Sequence, residues 1–397
     1  MKPSAHAGVA AEEIYERVRT RLKPRFQDFL ALSSTAELEA HPKYREIRDD
    51  VRFVLDTPEQ GDYSTAPAEE KDAYRVFAWN IERGVYFDEQ LEVLRSHPYA
   101  SSADLLLLTE TDVGMARSGN HAVAQEFAQA LNMHYAFAPC YINLVKGSGI
   151  EYDMEGENDV ALHGNAILSR YPLSNVRPVA LKNGKDKMRG REKRLGRQAA
   201  VLADVELPQG LVTLASVHLD ANSTQRHRHD QMRDVLDAID PEMPTIVGGD
   251  WNTSTFDTSS PTPAILGFWR RVFMGADNVI RNHYLRPYTK FESELFELLE
   301  NRGLDWRNSN ALDVRTTSYD VEDVKADKIL KEWLPEWCFQ FIRWSLRNHG
   351  GKCPLKIDWC AVRGLQPENP LVMHEFREGR KPPLSDHDAL GLDVRFS

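Results

Sequence analysis

The residues best equipped for chemistry stand at the ends of short apolar runs. Asn80 and Glu82 follow YRVFAW, Glu110 and Asp112 follow DLLLLT, and His218 and Asp220 close LVTLASVHLD. Asp250 and Asn252 lie in GGDWNT after TIV, Asp358 in KIDWC, and Asp386, His387 and Asp388 in LSDHDA. Oxygen donors dominate, no cysteine is among them, and histidine is sparse. That mixture suits a hard cation such as Mg2+, which keeps its waters and takes one or two carboxylates. Two separated histidines can divide proton work, one activating water and the other steadying a leaving group. Carboxamides donate to phosphoryl oxygens without adding charge. The set reads as metal-assisted hydrolysis of a phosphate ester. A single Asp at a strand end is ordinarily a turn or cap residue; the recurrence at six strand ends points to function.

The elements that must position these groups are short. Tyr74–Trp79, Asp104–Thr109, Ala166–Leu168, Gln198–Val205, Leu211–Leu219, Thr245–Val247 and Ile357–Val362 have the length and content of strands bounded by turn signals. Helical patterns intervene at His121–Leu131, Arg226–Ile239 and Phe291–Asn301, so an α/β or layered sandwich fold is expected. The paired glycines before Asp250 let backbone approach closely in a crowded site. Upstream, Ile14, Val18, Leu22, Phe26 and Leu30 recur at helical spacing and predict a helix over Ala11–Leu32. Thr57–Asp72, rich in Pro, Gly, Ser and acids, reads as a linker. The expected organisation is therefore an N-terminal helical extension and linker over 1–72 and a catalytic domain over 73–397.

The chain has 397 residues, a net charge of −11, 42% hydrophobic and 27% charged residues, which is globular composition. Cys140, Cys338, Cys353 and Cys360 form no CxxC pair, so a reduced compartment is expected. No apolar window is long enough for a membrane span, and the N-terminus lacks a secretory apolar core. A cytoplasmic location without integral membrane association is the expectation. Lys182–Arg197 carries eight Lys/Arg and two acids and can gather polyanions or simply solvate a loop; Glu151–Asp159 holds five acids and reads as an exposed loop.

In order along the chain, WNIERG, LLLLTETD, HGNAILSRYPL, GRQAAVLADV, VHLD, RHDQ, GGDWNT, KIDW and SDHDAL resemble the motifs of the endonuclease/exonuclease/phosphatase superfamily, the DNase I-like fold, from about Tyr74 to the C-terminus. The resemblance implies a four-layer α/β sandwich, two packed sheets flanked by helices, and a divalent metal, Mg2+ with Mn2+ as the alternative. It implies Glu110 as principal metal ligand, with Asn80 beside it and Asp386 on the metal side. His387 would be the general base or transition-state partner, oriented by Asp358. Asp250 would position or activate water, and Asn252 would bind a phosphoryl oxygen. His218 matches a histidine of the DNase I-like and sphingomyelinase-like branches; apurinic endonucleases carry Asn there, which lowers a repair role. Arg197 would meet substrate phosphate or brace the site, Asn165 would hold a loop or touch substrate, and Arg228 and Gln231 match a structural pattern.

The remaining expectations are plainer. Glu82 and Asp220 read as solvated neighbours, and His163 as a loop residue. Asp112, Arg117, Ser118 and Asn120 either line a substrate pocket or form a self-satisfied polar loop. Residues 253–355 form an insertion whose Trp333, Trp337, Phe339, Phe341 and Trp344 build a local core under helices, or else a lid, a partner surface or a lipid contact; Pro335 interrupts any single helix there. The substrate expected is a phosphodiester, nucleic acid included; a phosphatase or phospholipid diesterase, and a silent binding module, are the alternatives.

Overall fold

The computed structural model describes residues 7–65, 69–254, 261–321 and 336–396. Two sheets carry it. The first contains eight strands: β1 (Glu59–Asp62), β4 (His134–Asn143), β5 (Leu162–Ser169), β3 (Leu105–Val113), β2 (Tyr74–Arg83), β15 (Ala389–Phe396) and β14 (Leu365–Met373) in spatial order, with β7 (Arg194–Gly196) paired to β4. The second runs β13 (Asp358–Arg363), β10 (Thr245–Asp250), β9 (Gly210–Ser216), β8 (Ala199–Leu207) and β6 (Leu173–Ala180).

The runs that predicted strands are continuous in hydrophobicity because both faces of each sheet are covered. On β2, Tyr74, Val76 and Ala78 face the second sheet, while Phe77, Trp79 and Ile81 face helices. On β3, Leu105 and Leu107 point inward, and Leu106 and Leu108 outward. The second sheet mirrors this. Val201, Val212 and Ile246 meet the first sheet, whereas Leu202, Ala215 and Val247 pack under helices Gln225–Asp237 and Ser293–Asn301. The result is the four-layer α/β sandwich with flanking helices that the motifs implied.

The predicted N-terminal helix runs from Ala7 to Phe29, widening into a π turn at Val18–Leu22 and tightening to a 3-10 turn at Lys23–Arg25. A second long helix, Pro42–Asp56, was not anticipated, although Tyr44, Ile47, Val51 and Val54 recur at helical spacing. Both pack with Tyr135 and Phe137 of β4 in one core. Part of the segment read as a linker forms β1, whose Glu59 accepts a hydrogen bond from Tyr15 Oη at 2.8 Å.

Within residues 253–355, helix Pro261–Met274 and helix Glu336–Leu346 meet through Ala264, Phe268, Cys338 and Phe339, the local core expected there. Trp333 and Pro335 lie outside the described residues. β11 (Thr317–Asp320) and β12 (Lys352–Leu355) pair as a separate two-stranded sheet in the insertion, which touches the SDHDAL segment through a bridge between Thr317 and His387.

Candidate active site

Topology brings the chemically capable residues to one edge. β2 and β3 are parallel, as are β9 and β10, so their C-terminal ends coincide. β15 is antiparallel to β2 and β13 to β10, which puts the starts of these strands at the same edge. There the apolar filling between the sheets gives way to small and polar residues. A Cβ added to Gly248 would lie 2.7 Å from Leu107 Cδ1, and one on Gly249 2.4 Å from Val217 O, so bare backbone is needed. Ser216 Oγ then donates across the gap to Leu108 O at 2.9 Å.

The local backbone is unusual in the same place. Glu82, Arg83, Glu110 and Asn252 all have φ between +46° and +69°, which non-glycine residues seldom adopt. The register of β3 shifts against both neighbours around Glu110, and that of β2 between Asn80 and Arg83. Such bulges re-aim side chains, here toward the second sheet, and strain of this kind concentrates at functional sites.

Seven of the anticipated residues meet. Asn80 Nδ2 donates to Glu110 Oε1 at 3.3 Å and to Asp250 Oδ2 at 3.2 Å. His218 Nε2 is 3.5 Å from the same Asp250 oxygen and 3.9 Å from Glu110 Oε1. Asn252 donates to Asp250 through its backbone N–H at 2.9 Å and through Nδ2 at 3.1 Å. Asp358 lies opposite Asp250 in the β10–β13 ladder. Its two oxygens stand 3.0 and 2.9 Å from His387 Nδ1, and His387 Nε2 points toward Asp250 Oδ2 at 3.8 Å. Trp79 Nε1 donates to His387 O at 3.0 Å, and Ser385 Oγ, accepting from His387 N–H at 3.1 Å, donates to Asn80 O at 2.6 Å.

Charges follow from this burial. Burial alone would lift the Glu110 carboxyl, but Arg83, with Nε at 3.5 Å, then His218, His163 and His387 outweigh it and hold Glu110 well below the usual range. Asp250 is pushed up to about 6 by burial and by Asp358, against the opposing pull of His387 and His218. Burial would lower His387, yet Asp358, Asp250 and Asp386 raise it well above an ordinary histidine.

Other anticipated residues fall outside this cluster or beneath it. Asn165 is 1% exposed; its Oδ1 accepts from Glu110 N–H at 3.3 Å and its Nδ2 donates to Ala199 O at 2.8 Å. It therefore braces Glu110 and is sealed from solvent. Arg197 is not brought to the cluster: its guanidinium is paired with Asp56, the last residue of helix Pro42–Asp56. Asp386 stands at the rim, with its side chain 66% exposed and Oδ1 4.0 Å from His387 Nε2. Glu82 and Asp220 are buried, which corrects their reading as solvated neighbours. Glu82 Oε2 accepts from Asp386 N–H at 3.2 Å, and Asp220 receives Gly184 N–H at 2.8 Å and Lys187 Nζ at 3.3 Å. Arg228 is buried against Glu292, which also accepts Ser254 N–H at 2.9 Å, so it secures the loop after Asn252; Gln231 Oε1 accepts from Asp220 N–H at 3.0 Å. Asp388 is buried among Arg315, Arg377 and His374.

The polar loop after Glu110 satisfies itself. Asp112 takes a two-point contact from Arg117, at 2.7 and 3.0 Å, and a third from His163 Nδ1 at 2.8 Å. Ser118 joins it through Met115 O at 3.1 Å, and Asn120 Nδ2 donates to Glu157 O at 3.1 Å. Glu151, read as part of an exposed acidic loop, instead binds Arg83 at 3.1 Å and Arg117 at 3.2 Å. Four of the eight cations of the basic run are similarly committed: Lys187 meets Asp220, Lys193 donates to Met188 O at 2.8 Å, Arg194 pairs with Glu192 and Arg197 with Asp56, while Lys182, Arg189 and Arg191 are exposed. Arg83 and Ser385 escaped notice although both sit inside quoted motifs, because nothing in their spacing separates them from ordinary turn residues.

The donor chemistry fits a hard cation. Glu110 is ionised, half-buried and held only by contacts of 3.3 Å and longer, so its oxygens are open to a metal. Ligand atoms of Asp250, Asp358 and His387 also lie within 4.8 Å of one another and could hold an ion. In that trio, however, His387 Nδ1 and Asp358 already satisfy each other.

Solved structures of related shape include an endonuclease/exonuclease/phosphatase from Beutenbergia cavernae DSM 12333, at 17% identity over 82% of this chain and 72% of that one, with a TM-score of 0.47. A family protein from Leptotrichia buccalis C-1013-b has 10% identity over 82% and 100%, with a TM-score of 0.48. The human Nocturnin catalytic domain with bound sulfate has 16% identity over 86% and 97%, with a TM-score of 0.46. No curated protein sequence matches the chain. Residues 77–355, most of the chain, match the Endonuclease/Exonuclease/phosphatase family, and the protein belongs to that family.

Proposed function

We propose that this protein is a divalent-metal-dependent phosphoric ester hydrolase that cleaves a phosphodiester by activating water. The single observation that carries this is the line of Asp358, His387 and Asp250, in which a carboxylate fixes one imidazole nitrogen and leaves the other facing a second, partly protonatable carboxylate.

Asp250, pushed up to about 6, is ionised at neutral pH yet basic enough to take a proton from water. His387, fixed on its Nδ1 side by Asp358, presents a charged Nε2–H to the developing charge on phosphorus-bound oxygen. His218, beside Asp250, offers a donor to the leaving oxygen, while Asn252 Nδ2, donating to Asp250 and to Leu219 O, holds the Asp250 carboxylate in place. Glu110, with Asn80 and Asp386 at the same edge, would hold Mg2+ or Mn2+, which neutralises phosphoryl charge when bound. Arg197 is better read as a brace for the N-terminal helices than as a substrate ligand.

Among the described residues no helix is long and apolar enough to cross a membrane. Turnover of bis-p-nitrophenyl phosphate and of p-nitrophenyl phosphate, with Mg2+, Mn2+ or EDTA, tests the proposal beside His387→Ala. Metal-dependent diester cleavage lost in the variant is the expected result. Cleavage of the monoester alone would replace the diesterase with a phosphatase, and activity equal in EDTA would remove the metal.

A further inference from the structure

The insertion presents an aromatic surface that its own packing leaves uncovered by the described residues. Helix Pro261–Met274 buries Ala264 and Phe268, and helix Glu336–Leu346 buries Cys338 and Phe339, so each already has a core-facing side. Their opposite sides are apolar too. Leu266, Trp269 and Phe273 recur at helical spacing on the first; Trp337, Phe341 and Trp344 do so on the second. Leu266, Phe273 and Trp344 are 65%, 83% and 59% exposed. Trp269 joins the two stripes, its ring centroid 5.6 Å from Trp337 and 5.5 Å from Phe341. A contiguous exposed patch of this kind marks an interaction surface.

Its charge chooses the partner. Arg270 and Arg347 are exposed beside the aromatics, and Arg347 lies over Trp344, 4.4 Å from the ring centroid. The two helices contain a single acid, Glu336. A second copy docking by two-fold symmetry would bring arginine against arginine. Aromatics that seat at a headgroup boundary, rimmed by arginines, fit an anionic bilayer surface. The net charge of −11 does not oppose this, because beyond a Debye length of about 8 Å the rest of the molecule is screened.

We infer that the face formed by Leu266, Trp269, Phe273, Trp337, Phe341 and Trp344 docks this protein peripherally onto anionic phospholipid surfaces. The surface stands independently of the proposed reaction. It lies on the same insertion as β11, whose Thr317 Oγ1 donates to Asp386 O at 2.7 Å.

Sedimentation of the full chain with vesicles of phosphatidylcholine alone, or of equal parts phosphatidylcholine and phosphatidylserine, tests it, with tryptophan emission read in parallel. The expected result is capture by the mixed vesicles with a blue shift, weakened about tenfold or more in Phe273→Ser/Trp344→Ser. Both side chains are exposed, so an unchanged circular dichroism spectrum and unchanged turnover of a soluble ester confirm that the variant is folded. Arg270→Gln/Arg347→Gln should lose the preference for phosphatidylserine. No capture by either vesicle, or equal capture of the aromatic variant, overturns the inference. A dimer in solution that the aromatic variant converts to monomer also overturns it and assigns the face to self-association.

Discussion

The two carboxylate oxygens of Asp358 straddle Nδ1 of His387, at 3.0 and 2.9 Å, while Trp79 anchors the histidine's own carbonyl. Asp358 therefore fixes which nitrogen faces the site. Asp358→Asn keeps the shape and removes the charge, and should lower kcat by about 10^2- to 10^4-fold with little change in KM. Steady-state kinetics beside a circular dichroism spectrum checks this; a fall confined to KM would refute it.

Glu110 is the carboxylate most open to a cation. Glu110→Gln should weaken Mn2+ binding, followed by its paramagnetic resonance signal, by about tenfold or more, and should shift the metal dependence of turnover in parallel. Unchanged Mn2+ affinity would transfer the metal to the Asp250, Asp358 and His387 trio.

The Asp112–Arg117 pair is sealed from water on both sides and holds Asp112 down at about 2. Burial alone would raise Asp112; Arg117 and then the bond from His163 overcome it. Arg117→Met strands a buried charge and should cost about 3–5 kcal/mol in denaturant unfolding. Arg117→Met/Asp112→Asn should recover part of that loss. If the single variant unfolds like the parent, the pair contributes nothing.

Gly249 has φ of +132°, and a Cβ there would meet Val217 O at 2.4 Å. Gly249→Ala should cost at least about 2 kcal/mol in thermal unfolding. It should also reduce turnover beyond what the unfolded fraction explains, because Asp250 is the next residue. Wild-type behaviour would show that the sheets can separate here.

Glu59, in β1 under the N-terminal helices, is buried, its carboxyl meeting Tyr15 as its one hydrogen-bond partner among the described residues, and burial lifts it to about 8. In the unfolded chain it ionises near 4.5. Its contribution is fully present below that value and is lost as pH rises toward about 8, by up to about 5 kcal/mol. Glu59→Gln should flatten the stability profile between those limits; an unchanged slope would place the pH dependence elsewhere.

Much of the architecture was legible because the strands are apolar on both faces and end in polar residues. LLLLTETD and TIVGGDWNT announce a covered strand and a reactive end in one stretch. β1 was not legible: EQGD has no apolar run, and its edge position is set by pairing with β4. Helix Pro42–Asp56 was missed because charge outnumbers apolar content along it, although its buried stripe is regular. Within the site, Asn80, Glu110, His218, Asp250, Asn252, Asp358 and His387 meet because register aligns strand ends. Arg197 and Arg83 exchange their apparent importance. Which of two arginines reaches Glu110 depends on a left-handed turn at Arg83 and on Asp56, 141 positions from Arg197, which holds the other. Local sequence carries neither.

Asp250 and Asp358 occupy one rung of the β10–β13 ladder, although the chain between them makes the whole excursion through the insertion. Departure and return are thus pinned to adjacent points, and the length of the excursion is invisible to the rung. Parts of the excursion, Glu292, helix Ser293–Asn301 and Thr316, return to support the rung and the loop after Asn252. The outlying helices Pro261–Met274 and Glu336–Leu346 stand clear of the rung, so a change of length or sequence in them leaves both carboxylates in place.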